Sequence, residues 1–241
     1  MPMSESLHIG FLIFPDVTQL DLTGPAQVLS RVPGAKIHLA WRTIEPLMTD
    51  VGFSINPTVS FAECPQLDVL CVPGGIGVIG QLNDSATLQF LRAQGRTARY
   101  VTSVCNGSVL LGAAGLLEGY ESACHWLWRE YLPRFGAKPV AARVVRDRNR
   151  LTGGGVTSGI DFAFVLAREL AGEDATKLIQ LVLEYDPKPP FDFGSPEKAG
   201  TELVERARQT QLHRMQGAEA EIQRAASRLS SESEGADPAR R

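Results

Sequence analysis

Residues Ala98–Gly119 read ARYVTSVCNGSVLLGAAGLLEG. The first half is a β-branched run of strand length, and the second, VLLGAAGLL, has helical composition, with no linker between them. Cys105 falls on the junction. A strand that turns straight into a helix is the repeating unit of an α/β sheet, and the side chain on that turn is pushed out into the crevice where open sheets bind ligands. The helix N-terminus it faces has unpaired N–H groups and a dipole that favours a thiolate over a thiol. Gly107 and Ser108 are small enough to let strand and helix approach closely. A cysteine in an α/β protein is ordinarily a buried, inert filler; its place on this junction makes Cys105 a candidate nucleophile.

Outward from the junction the same alternation repeats. LHIGFLIF (7–14), KIHLAW (36–41) and LDVLCVPGG (67–75) are apolar runs of the kind a strand covered on both faces requires. Between them, 19–30 reads as a loop followed by a helix containing Ala26, Val28 and Leu29, and 84–94 as a helix with Leu88 and Leu91 on one face. Thr43–Phe61, broken by Pro46, Gly52 and Pro57, suits an antiparallel excursion. Downstream lie an expected helix over 126–136, a strand pair over 139–155 with its turn near 147–149, and a helix over 158–171. The pattern predicts one α/β domain with a doubly wound, mostly parallel sheet over residues 1–190. The Pro/Gly-rich PKPPFDFGSPEKAG (187–200) then leads into an extension, 191–241, expected to be helical over about 201–230 and disordered in its last stretch, SESEGADPARR. Leu212, Met215, Ala218, Ile222, Ala225 and Leu229 form a narrow apolar seam, weakened at Gly217. That seam suits either a helix lying back on its own domain or one packing on a second subunit.

Composition narrows the function. The 241 residues carry a formal charge of −3 and are 44% apolar, which argues against a protein built to grip nucleic acid or an anionic membrane. The start lacks a charged segment ahead of its apolar run, and no uninterrupted apolar stretch reaches the ~20 residues of a membrane span, so a cytoplasmic location is expected. Cys64, Cys71, Cys105 and Cys124 have neither CxxC nor clustered Cys/His spacing, so a zinc site or disulfide scaffold is not expected. Cys64 and Cys71 read as packing residues; Cys124, beside His125, stays open.

A nucleophile needs a proton carrier and a way to hold developing charge. Asp21, in QLDLTGP after the first strand, places a carboxyl at the edge where Cys105 emerges, whereas Asp16 beside Pro15 reads as a turn residue. His125, at an element start near the same edge, is the other candidate. Pro73-Gly74-Gly75 ends a neighbouring strand, where backbone N–H groups can point into the crevice without a Cβ in the way.

FPDVTQLDLTGP, the strand end VPGG, the elbow VTSVCNGSVLLGAAGLLEG, the Ala123–Trp126 segment and LTGGGVTSGIDFAF together resemble the ThiJ/PfpI superfamily, a branch of the class I glutamine amidotransferase-like fold. The resemblance runs from about Leu7 to Pro190. Within that superfamily QLDLTGP, CVPGG, RLTGGGVTSGIDF and LEYDPKPPFDFGSP look most like the bacterial isocyanide (isonitrile) hydratases. The resemblance implies a flavodoxin-like domain that forms a homodimer and hydrates an isocyanide, R–N≡C, to the formamide R–NH–CHO without cofactor or metal. It further implies that Cys105 attacks the isocyanide carbon, that protonated Asp21 supplies the proton, and that the then ionised Asp21 activates the water that hydrolyses the thioimidate. Backbone N–H groups at Gly75 and Asn106 are expected to hold the thiolate or the later tetrahedral intermediate, with Gly74, Ile76, His125 and Gly154 around the pocket. Asn106 stands where such hydratases usually carry Thr, and Cys124 where Thr often precedes the His-Trp pair. Relatives that act as proteases or glyoxalases commonly carry His after the nucleophile or Glu in the Asp21 role, and neither is present. A glyoxalase or deglycase acting on small carbonyls, and a non-enzymatic thiol sensor oxidised at Cys105, are the alternatives. GIDFAF and the His-Trp segment are shared with the sensory halves of AraC-type regulators, but residues 201–241 are too few and too acidic to supply a DNA-binding domain, so no nucleic acid partner is expected.

Overall fold

The computed structural model describes residues 6–236. Seven strands form the main sheet: β1 (Leu7–Leu12), β2 (Ala35–Trp41), β3 (Val59–Ser60), β4 (Val69–Val72), β5 (Tyr100–Val104), β6 (Val144–Asp147) and β7 (Arg150–Gly153). Their order is β6-β7-β5-β4-β1-β2-β3. All neighbours are parallel except β6, which runs antiparallel to β7 at one edge. β4 and β5 are buried at every residue, the physical reason their sequences are continuous apolar or small-residue runs instead of alternating ones. β2 lies on one side of β1 and β4 on the other, so the winding direction reverses between β1 and β4. The crevice beyond the C-terminal ends of β1, β4 and β5 is therefore the topological switch point.

The helices are α1 (Gln19–Leu29), α2 (Ser85–Gly95), α3 (Gly107–Ala113), α4 (Ser158–Ala171), α5 (Glu173–Val182), α6 (Thr201–Gln211) and α7 (Ala218–Ala236), with short turns between them. α1 begins at Gln19 itself, not after a loop, with Pro25 inside it. Asp21 consequently sits in the first helical turn. α1 and α4 approach closely because Gly24 faces Ile160 and Gly159 faces the Pro25 ring.

The excursion after β2 contains an antiparallel hairpin, Leu47–Met48 against Ser54–Ile55, but its last part, β3, joins the main sheet in parallel. The helix expected over 126–136 is instead a set of turns leading into a 3-10 segment, Arg129–Phe135, closed by Gly136 at φ 70°. Pro133 has no N–H to give an α-helical ladder there.

In the extension, a turn at 212–217 separates α6 from α7, with Gly217 at φ 79°. The apolar seam lies back on its own domain: Ala218, Ile222 and Ala225 are buried, Met215 and Leu229 are partly buried, and Leu212 is exposed. Arg228 anchors α7 by donating from Nη2 to the Ala113 carbonyl at 2.9 Å, and Asn83 donates to the Glu221 carbonyl at 2.9 Å. The helix continues to Ala236, six residues beyond the expected end and into the stretch expected to be disordered, 231–241; the remainder of that stretch, 237–241, lies outside the described residues. No helix among the described residues is long and apolar enough to cross a membrane.

Candidate active site at the end of strand five

The elbow forms as the junction requires. Cys105 has φ 59°, the left-handed conformation that costs a non-glycine residue of order 1 kcal/mol and is kept only where the surroundings over-determine it. Those surroundings can be named. The Cys105 N–H donates to the Gly153 carbonyl at 3.2 Å, and its own carbonyl accepts from the His125 N–H at 3.3 Å. Ser108 Oγ donates to the Ala123 carbonyl at 2.7 Å and shares a 2.8 Å hydrogen bond with Ser103 Oγ. At Gly107 a Cβ would lie 2.7 Å from the Pro73 carbonyl oxygen, so only glycine lets α3 start this close to the end of β4.

Asp21 lies beside the elbow and is completely buried. Its Oδ2 accepts from the Gly74 N–H at 2.9 Å. The Cys105 thiol interacts with the same carboxyl, although it does not meet the geometry of a full hydrogen bond, and Oδ1 is left without a satisfied partner. Burial pushes the Asp21 pKa up from 3.8 to about 7, with the neighbouring Asp50 adding to the rise against the lowering effect of the Gly74 and Cys105 contacts. Burial also raises the Cys105 thiol, and the Asp21 charge raises it further, while the Asn106 N–H works the other way. Burial makes each group resist ionising, and an ionised Asp21 holds the Cys105 proton in place, so the pair keeps a single proton once the first is lost.

Of the two donors expected at the elbow, Asn106 leaves only its own backbone N–H free. Its side chain is zipped onto Gly75: Gly75 N–H donates to Oδ1 at 2.8 Å and Nδ2 donates to the Gly75 carbonyl at 3.0 Å. The Gly75 N–H expected to face the thiolate is thus already committed, and the backbone N–H of Asn106 remains as the donor beside Cys105. Gly75, at φ 132°, is pressed against the Asp16–Thr18 backbone, and Gly74 lies against Cys105 Cβ and Asn106.

A cavity of about 340 Å³ opens over the elbow. Of the residues expected around it, Cys105, Gly75, Asn106, Ile76 and His125 are in its wall. Gly74 sits behind the elbow, and Gly154 is turned away, its N–H bonded to the Arg143 carbonyl at 2.9 Å. His125 is kept neutral: burial, with Arg129 assisting, lowers its pKa to about 4, and its Nδ1 accepts from the Leu127 N–H at 3.3 Å. It is thereby a poor proton carrier at neutral pH, and Asp21 is the titrating group at the elbow. The other cysteines do not line the cavity, and burial raises their thiols as it does that of Cys105. Burial pushes Cys64 up to about 11 and Cys71 up to about 12, and it raises buried Cys124 further.

Two contributors to the wall were not legible in sequence. Asp50 and Thr18 form one, with Thr18 Oγ1 donating to Asp50 Oδ2 at 2.8 Å. The other is the end of α6 and its following turn, which bring Ala207, Gln211, Arg214 and Met215 over the opening, while Arg208 stacks on Trp126 at 5.4 Å. Asp50 lies in a short polar turn with no motif around it, and the α6 pattern says nothing of which surface it covers. Among the described residues no three His, Cys, Asp or Glu side chains cluster as a metal site.

The model of the DJ-1/PfpI family matches residues 8–169. The isonitrile hydratase of Pseudomonas putida is 54% identical over 203 residues, 84% of this chain and 89% of that protein. The transcriptional regulator GbdR of Pseudomonas aeruginosa is 28% identical over 74% of this chain but only 50% of its own length. Among solved structures, a ThiJ/PfpI family protein from Pseudomonas syringae superposes with a TM-score of 0.87 at 41% identity, covering 92% of each chain. Drosophila melanogaster DJ-1beta, at a TM-score of 0.69 and 23% identity, shares the fold. A sheet wound about the β1–β4 switch point, a positive-φ cysteine at the end of β5 and a match over two thirds of the sequence agree: the chain belongs to the DJ-1/PfpI family.

Proposed function

We propose that this protein hydrates isocyanides to N-substituted formamides through a thioimidate on Cys105. The observation that carries this reading is the elbow cysteine facing a wholly buried Asp21 whose pKa is raised to about 7, a pair able to hold one proton and pass it to a carbon. The 54% identity to the Pseudomonas putida hydratase supports it.

The pair rests with its single proton on Cys105 and the charge on Asp21, the group that ionises first; as the sulfur attacks, that proton passes from Cys105 to Asp21, with the Asn106 N–H beside the sulfur. The sulfur lone pair forms an S–C bond to the terminal isocyanide carbon. The negative charge that this places on carbon takes the Asp21 proton, leaving R–N=CH–S–Cys105 and an ionised Asp21. Water then adds to that carbon, one of its protons going to the imine nitrogen. The tetrahedral adduct collapses as the C–S bond breaks, its electron pair returns to sulfur, and the hydroxyl proton returns to the Asp21–Cys105 pair. Atoms balance as R–N≡C plus H₂O giving R–NH–CHO, and the scheme requires no cofactor. Trp126, Trp128, Leu127 and Met215 in the cavity wall suit an apolar R group.

Purified protein should convert an aryl isocyanide to its formamide, and Cys105→Ala should abolish the conversion. If no formamide appears from a panel of alkyl and aryl isocyanides while Cys105 titrates fully, the reading is wrong; turnover of methylglyoxal instead would assign a glyoxalase. We further propose that residues 1–190 form the chemical unit and the extension its cover, and that the protein works in the cytoplasm as a homodimer. Exposed Leu178, Leu181 and Val182 on α5 and nearby Phe191 and Phe193 are apolar surface of the kind subunits cover, and sedimentation at micromolar concentration tests the dimer.

A further inference from the structure

We infer that the R group of the substrate runs beneath α6 into a second, apolar cavity, so that the protein selects isocyanides carrying a long hydrophobic chain, with Trp126 and Ala207 at the passage. The inference rests on the hydratase reading above and deepens it to a substrate class.

The second cavity, of about 310 Å³, is lined almost wholly by apolar side chains, among them Pro196, Ala199, Leu203 and Val204. Ser195 brings a hydroxyl, which interacts with the Glu197 carboxylate. Trp126 and Ala207 belong to this wall and also to the wall of the cavity over Cys105, so the two spaces adjoin there. Trp126 is held in place by the His125 ring, 5.9 Å away, and by the Arg208 guanidinium over its own ring at 5.4 Å. Ala207 contributes no more than a methyl group. Small-molecule sites run to ~300–1,000 Å³, and each cavity alone is at the lower end of that range. The two together take a longer ligand than either one holds.

The packing of α6 points the same way. Val204, Ala207 and Gln211 are half-buried while the other residues of the helix are exposed, a stripe at helical spacing. No residue of α6 is fully buried. A short helix is ordinarily held by laying its inner stripe on a protein core. α6 lays its stripe over the cavities instead: Val204 faces the second, Gln211 the first and Ala207 both. An apolar chain beneath the helix would give that stripe the packing it lacks.

Substrate geometry supplies the direction. An isocyanide is linear from its terminal carbon through nitrogen to the first atom of R. With that carbon at Cys105 Sγ, R leaves straight away from the sulfur into the space that α6 roofs. Thr210, Gln211 and Arg214 present polar groups there, whereas Ala207 and Trp126 present apolar ones and lead to the second cavity.

The test uses full-length wild type, Ala207→Phe and Val204→Trp with n-alkyl isocyanides from butyl to decyl, read by formamide release. The readout is the ratio of kcat/KM for decyl to that for butyl, in which any general loss of activity cancels. In wild type kcat/KM should climb about fourfold for each added methylene that is buried. Ala207→Phe narrows the passage and Val204→Trp fills the second cavity, so each should lower the decyl-to-butyl ratio about 10-fold or more. Two separate positions keep the inference testable if one variant does not fold. A wild-type ratio near one overturns it, as does an unchanged ratio in either folded variant. If the ratio is unchanged and Val204→Trp shifts a dimer towards monomer in sedimentation, the second cavity takes another copy of the chain instead. If wild type releases formamide from no member of the series, the hydratase reading has failed and this inference with it.

Discussion

Replacing Asp21 by Asn should stabilise the protein at alkaline pH while removing its activity. The folded chain holds the Asp21 pKa at about 7 against 3.8 for an ordinary aspartate. Below pH 3.8 both folded and unfolded chains carry the proton and no difference arises. Between 3.8 and about 7 the unfolded chain loses its proton while the folded one keeps it, so rising pH destabilises the fold by about 1.4 kcal/mol per unit. Above 7 the whole cost is present, about 4 kcal/mol for a shift of this size. An Asn side chain keeps an oxygen for the Gly74 N–H and does not ionise. Urea unfolding of wild type and Asp21→Asn at pH 5 and pH 8 isolates the effect, because the other titrating groups cancel in the difference between variants. The gain of the variant over wild type should be about 2.7 kcal/mol larger at pH 8 than at pH 5. Parallel pH–stability profiles would refute the buried, proton-holding state of Asp21, and wild-type turnover by Asp21→Asn would refute its part in the reaction.

Since the reactive pair must lose its first proton, kcat/KM for an aryl isocyanide should rise with pH up to about 7 and level off above it; a rate that climbs as pH falls below 6 would contradict the scheme. Gly74→Ala would put a Cβ 2.8 Å from Cys105 Cβ and 2.9 Å from the Asn106 nitrogen, costing about 1–3 kcal/mol of stability and lowering kcat with it, read from unfolding midpoints and steady-state rates. Asn106→Ala should cost about 1–3 kcal/mol, because it leaves the Gly75 N–H and carbonyl buried without their partners; an unchanged midpoint would mean that the amide zipper contributes nothing.

Long-range pairing explains where reading the chain alone succeeded and where it stopped. The elbow at Cys105 was legible because strand, turn and helix are contiguous, and the local composition of VTSVCNGSVLL records the constraint directly. The helical start of α1 was not, because Pro25 and Gly24 argue locally against a helix, and only packing on α4 makes that backbone worth holding. Likewise the 126–136 segment has helical composition, yet Pro133 and the ties of Ala123 and His125 to the elbow leave it as turns and a 3-10 segment.

By itself the sequence determined the α/β class and the presence of a helical extension, and it pointed to Cys105 and Asp21 as candidate nucleophile and acid. These follow from hydrophobic periodicity, from turn chemistry and from motifs read within a few residues of one another. Only the tertiary structure decided that Gly75 N–H is spent on Asn106, that His125 is neutral, that Asp50 reaches the cavity from a hairpin 55 residues before the nucleophile, and that α7 lies on its own domain. Each of these depends on which groups meet across the fold and on how much water the meeting excludes, and neither quantity is written in local sequence.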